Sequence, residues 1–148
     1  MNTSTVLIDK YPWLDAYNNA YLYIVGPCSE EERLQFKGKL PFDIPEGWYS
    51  FIEQMCEEIA QHLEQAGWKP EDYHIAQIKE KWGELCWYDE GHPEGMRNII
   101  RKYEALSMNT CSKCGKPAKY LTKGYVLPYC EECLPKFAKE HMNYIELK

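Results

Sequence analysis

At 148 residues the chain is the size of one domain, or of one domain with a small appendix. Five Trp and twelve Tyr exclude a disordered chain, and a net charge of −6 sets most of the surface against a nucleic-acid backbone. The N-terminus lacks the basic start and apolar stretch of a secretory leader, and no run approaches the ~20 apolar residues of a membrane span, so a cytoplasmic protein with no membrane segment is expected.

In chain order, residues 1–46 carry the weakest pattern. "YPWLDAYNNAYLYIV" suggests a helix opened by Pro12, with Trp13, Tyr17 and Tyr21 at helical spacing and a break at Gly26-Pro27. Ser29 with Glu32 three residues on has the form of a helix cap, and Gly38, Pro41 and Pro45 then read as a loop. "GWYSFIEQMCEEIAQHLEQAG" is an amphipathic helix: Trp48, Phe51, Ile52, Met55, Cys56, Ile59, Leu63 and Ala66 form one stripe, and glutamates fill the other face. Beyond Gly67 the period changes. Ile75, Ile78, Leu85, Trp87 and Tyr88 flank Lys81-Trp82-Gly83, which predicts two antiparallel strands and a tight turn. Pro93 opens a second helix whose stripe is Met96, Ile99, Ile100, Tyr103 and Leu106. The expected fold class is α+β: an acidic helix and β-hairpin body over residues 1–108, then a zinc ribbon and C-terminal helix or tail over 109–148.

The ribbon rests on cysteine spacing. Cys111 and Cys114 form one Cys-x-x-Cys pair, Cys130 and Cys133 a second, and fifteen residues separate them. Each pair places two sulfurs on one side of a point, and two pairs complete a tetrahedron of the kind zinc adopts. The spacer holds an out-and-back hairpin turning near Gly124, and Gly115 suits the positive φ often needed just after a metal-binding turn. Four thiolates leave no coordination position for water or substrate, so the expected cofactor is one structural Zn²⁺. A thioredoxin-type redox site would use one pair beside a βαβ unit, a context neither pair has. His141, eight residues after Cys133, is not expected to replace a thiolate.

Three cysteines remain. Cys56 and Cys86 sit within apolar patterns and read as buried small hydrophobes, and Cys28 as an ordinary loop thiol. The histidines lack metalloprotease or deaminase spacing, and no nucleophile elbow or phosphate-binding loop occurs, so no catalytic residue is assigned. Trp82, Trp87 and Tyr88, with Lys79 and Lys81 beside them, are either core aromatics or a patch that anchors a protein partner. From Cys111 onward seven Lys oppose four Glu, which offers an alternative reading: a nucleic-acid-associated regulator touching phosphate through Lys113, Lys116, Lys119 and Lys123.

"GWYSFIEQMCEEIAQHLE", "QIKEKWGELCWY" and "CSKCG", in this order, resemble a group of uncharacterised small zinc-ribbon proteins of bacterial and phage genomes. The similarity covers about residues 46–133, with "YPWL" as an upstream extension. It implies the architecture above and an accessory role, such as blocking or shielding a host or competitor protein. Trp82 and Trp87 stand where the group has Phe, and Cys86 where it often has Arg. The leading expectation is a non-enzymatic zinc-containing protein that binds and blocks a protein partner. An enzyme using the ribbon only as support is the third reading.

Overall fold

The computed structural model describes residues 3–26 and 28–148, so Pro27, half of the expected Gly26-Pro27 break, lies outside the described residues. The protein is α+β, and no described helix is long and apolar enough to cross a membrane.

The first forty residues differ from the expected Pro12 helix. A short helix α1 (Thr3–Lys10) comes first; it buries Leu7, the ammonium of its last residue Lys10 reaches Glu53 (2.9 Å), and the hydroxyl of Tyr11 just after it reaches Glu57 (2.6 Å). From Pro12 the chain makes separate tight turns, Pro12–Leu14 and Ala16–Asn18, then a π-turn, Tyr21–Val25. The cause is Asp15. Its backbone is extended (φ −64°, ψ 124°), and its carboxylate accepts the N–H groups of Tyr17 (3.1 Å) and Gly38 (2.9 Å). A local side-chain acceptor thus replaces the helical bond. Trp13 and Leu14 face the core while Tyr21 is exposed, so the three aromatics share no face. The expected Ser29 cap is present: its hydroxyl accepts the Glu32 N–H (3.2 Å) at the start of α2 (Glu30–Leu34).

β1 (Phe42–Asp43), α3 (Tyr49–Gln65), β2 (Ile75–Lys81), β3 (Glu84–Asp89) and α4 (Met96–Met108) form the main body. The sheet order is β1-β2-β3, with β1 parallel to β2 and β2 antiparallel to β3. The stripe of α3 from Phe51 to Leu63 is buried as its periodicity predicts, and Ala66 is exposed. Ile75, Ile78, Leu85 and Trp87 meet it from the sheet, and Met96, Ile100 and Tyr103 from α4. Pro93 does not open α4. Gly95 has φ 90°, outside the helical region, so the helix begins at Met96.

α4 also protects the sheet. β3 is an edge strand, and its outward N–H groups at Leu85 and Trp87 are taken by Ser107 Oγ (2.8 Å) and Glu104 Oε2 (3.1 Å). This is why Ser107 is buried and Leu106, expected in the stripe, is 41% exposed. Burial pushes the Glu104 carboxyl up, partly offset by the Trp87 N–H bond. Ser107→Ala would leave a buried N–H without an acceptor and is expected to cost about 1–3 kcal/mol in urea unfolding. An unchanged unfolding midpoint would show that water replaces the hydroxyl.

The remainder of the chain holds a second sheet of order β5-β4-β6, built from β4 (Tyr120–Thr122), β5 (Pro128–Tyr129) and β6 (Tyr144–Glu146), with α5 (Lys136–Glu140) before its last strand. The hairpin expected between the cysteine pairs is β4–β5, its loop tied by Thr122, whose hydroxyl accepts the Leu127 N–H (3.0 Å) and donates to the Tyr125 carbonyl (2.6 Å). The tail is not loose: β6 pairs with β4, and Tyr144 packs edge-on to Tyr120 at 5.0 Å.

Candidate metal centre

Two backbone turns bring the four predicted cysteines together. In the first, the Cys111 N–H donates to Lys116 O (2.7 Å) and the Gly115 N–H donates to Cys111 O (3.0 Å), with Gly115 at φ 83° as its position predicts. In the second, Cys130 O accepts the Leu134 N–H (3.1 Å). The sulfurs of Cys111, Cys114, Cys130 and Cys133 all lie within 4.8 Å of one another. Tetrahedral coordination with bonds of about 2.3 Å requires sulfurs roughly 3.8 Å apart. Cys114 and Cys130, at 3.6 Å, match that separation and are far beyond the ~2.05 Å of a disulfide. The group could therefore hold a metal ion. His141 is not among these ligands; its ring packs on Phe137 at 4.5 Å.

The electrostatics point the same way. Burial opposes ionisation of Cys111, but backbone N–H groups of Cys114, Cys130 and Lys113 aimed at its sulfur outweigh burial and bring the thiol down to about 7. Cys133, hydrogen-bonded to Cys130 and then desolvated, is pushed up to about 12. Four adjacent sulfurs cannot all become thiolates without a cation among them.

The first cysteine turn is wedged against the body. Gly47, just before α3, donates its N–H to Ser112 O (2.9 Å), and the Trp48 indole N–H donates to Thr110 O (3.2 Å). A methyl group on Gly47 would sit against the Cys111 carbonyl, 2.7 Å from the Ser112 carbonyl carbon and 2.9 Å from the Gly115 nitrogen. The "GW" and "CSKCG" stretches, far apart in sequence, are thus two halves of one contact.

The proposed partner-binding residues separate. Trp82 is 71% exposed at the tip of the β2–β3 turn; Tyr88, Lys81 and, in part, Lys79 also reach the surface. Trp87 does not: it is buried, stacks edge-on to Trp13 at 6.3 Å, and donates its indole N–H to the Tyr73 hydroxyl (3.0 Å). That hydroxyl donates in turn to Asp89 (2.6 Å). Trp87 is therefore a core residue whose polar atom is satisfied internally, and it leaves the candidate surface.

Tyr125, which the sequence did not single out, takes its place. It is 77% exposed on the β4–β5 loop, and with Glu80, Lys81, Trp82, Gly124 and Val126 it lines a shallow cleft of about 200 Å³. The two hairpin tips touch: a methyl on Gly83 would lie 3.0 Å from Val126 Cγ1. Aromatics on two adjoining turn tips were the available signal, but it required knowing that the turns meet.

Among the other cysteines, Cys56 is buried as expected, and burial pushes its thiol up. Cys86 is half-buried on the outward side of β3. Burial, followed by Glu32, raises the Cys28 thiol, which fits an unreactive residue. Set against known proteins, the chain matches no family model, no curated protein and no solved structure.

Proposed function

We propose that the chain is a non-enzymatic, zinc-stabilised binding protein that covers a surface of a protein partner, with Trp82 and Tyr125 as its anchors. Zinc is the ion best suited to four thiolates on Cys-x-x-Cys turns, and a filled coordination sphere gives it a structural role. The residues holding it would be Cys111, Cys114, Cys130 and Cys133.

The observation that carries the partner reading is the backbone of Trp82. Trp82 and Gly83 have φ 56° and 82°, the two positive values of a type I′ turn. Asn, Asp or Gly takes the first of these positions easily, whereas a bulky side chain there costs about 1–2 kcal/mol. A tryptophan that strains its turn and stays in solvent contributes little to folding. Trp and Tyr are the side chains that dominate protein interfaces. The resemblance to small zinc-ribbon proteins of bacterial and phage genomes supports an accessory, blocking role.

A nucleic-acid partner is less favoured. Lys116 and Lys119 lie beside Glu132 (3.8 Å) and Glu131 (3.7 Å), so the basic excess of the ribbon is locally compensated. Affinity capture from bacterial lysate with the wild type and Trp82→Gly tests the reading. The variant is expected to fold with equal or greater stability, by up to about 1 kcal/mol, and to lose a captured protein by at least about tenfold. Capture of DNA or RNA with steep salt dependence, or equal capture by both proteins, would contradict it.

A further inference from the structure

A cavity of about 470 Å³, within the usual range for small-molecule sites, opens between the N-terminal turns and the segment preceding β2. Its lining includes Trp13, Tyr17, Tyr23, Arg33, Glu71 and His74. It shares no residue with the cysteine cluster or the Trp82 cleft.

Arg33 dominates its chemistry. The guanidinium carbon lies 4.2 Å from the Tyr17 ring centre and 4.8 Å from that of Tyr23, so aromatic rings lie against the cation. The side chain is only 14% exposed. Nη1 donates to Glu30 (3.3 Å) and Nη2 weakly to the Tyr17 carbonyl (3.4 Å), while Nε is buried and has no hydrogen-bond partner among the described residues. A buried cationic N–H without an acceptor is costly, and it is rare in native proteins unless something else fills it. The adjacent Nε and Nη2 edge of a guanidinium is suited to the two oxygens of a carboxylate.

The other walls narrow the ligand. Tyr23 and His74 stack at 5.2 Å with planes 13° apart, and His74 Nδ1 donates to the Asn18 carbonyl (3.0 Å), which leaves Nε2 as the second polar atom of the ring. Aromatic walls favour a flat ring. Glu71 lines the cavity and Glu30, bound to both Tyr17 Oη (2.5 Å) and Arg33, stands beside it, so a second negative charge on the ligand would be repelled. We propose that the cavity binds a small aromatic monocarboxylate, its ring against the tyrosine and histidine walls and its carboxylate on the Arg33 guanidinium.

The test uses the full chain with its metal and follows the ring resonances of Tyr17, Tyr23 and His74 by NMR during titration with 2-naphthoate. Saturable shifts at these rings are expected, with 2-naphthylmethanol, which has the ring but no charge, binding at least about tenfold more weakly. Acetate, which has the charge but no ring, is expected to give no saturable shift. Arg33→Lys keeps the charge and loses the fork, and should weaken naphthoate by about tenfold. Tyr23→Ala removes a largely exposed ring and should weaken it several-fold while the chain still melts cooperatively; it decides the matter should Arg33→Lys fail to fold. No saturable shift at millimolar naphthoate, equal affinity for the alcohol, or binding indifferent to Tyr23→Ala would overturn the proposal.

Discussion

With zinc on the four thiolates, as proposed, Cys111→Ser is expected to release the ion and lower the melting temperature by about 10 °C or more, the largest single effect of that assignment. Cys111 is fully buried, and its sulfur is the one toward which three backbone N–H groups converge. A serine hydroxyl is a poor ligand for a soft-ligand site, so on the zinc assignment the remaining three thiols lose the cation that lets them ionise. The loss should spread along the chain, because the same turn accepts the Gly47 N–H at Ser112 O, and the carbonyl just before it, of Thr110, accepts the Trp48 indole. A colorimetric zinc assay and a thermal melt read both effects. Cys28→Ser serves as the control and should change neither. Stoichiometric metal and an unchanged melt in Cys111→Ser would refute the ligand assignment.

Gly47→Ala should cost about 3 kcal/mol, although it adds one methyl group at a site with no metal ligand. The added carbon would meet backbone atoms of Cys111, Ser112 and Gly115, none of which can rotate away as a side chain would. Either the first cysteine turn or the start of α3 must move, and the Gly47–Ser112 hydrogen bond goes with it. Metal affinity should therefore fall together with stability, as a chelator competition would show. Gly67→Ala separates backbone strain from crowding. Gly67 has φ 79° and nothing within 4 Å of a built methyl, so that variant should lose only about 1 kcal/mol and keep its metal affinity. Equal behaviour of the two variants would show that the turn and the body are not wedged together.

What could be read from sequence depended on how long each pattern ran. Seventeen residues of α3 repeat the helical period several times, and the cysteine spacing encodes a local turn twice, so both were legible. β1 and β6 have two and three residues, too short for alternation to register; β1 forms because the longer β2 beside it offers unpaired groups, and β6 because the equally short β4 has an edge that β5 leaves open. The Pro12 segment misled because Trp13, Tyr17 and Tyr21 fit a helical stripe on paper, whereas Asp15 folds back on the chain and Gly38, distant in sequence, completes its bonding. Leu106 and Ser107 exchanged roles for a related reason: the strand edge beside them needed an acceptor more than it needed another apolar contact. Trp87 and Tyr88 could not both face solvent on a strand with period two, and the alternation of Leu85, Trp87 inward and Cys86, Tyr88 outward settles which does. The Arg33 cavity left no trace in sequence, since its walls come from turns that meet only after folding.

The proposed centre is one zinc ion whose coordination sphere is filled by four sulfurs. X-ray absorption at the zinc edge of the purified protein, with metal content measured on the same sample, tests this most directly. One zinc per chain with four sulfur scatterers at about 2.3 Å is the predicted result. Nitrogen or oxygen in that shell, or folded protein that holds no metal and carries disulfides among Cys111, Cys114, Cys130 and Cys133, would contradict it.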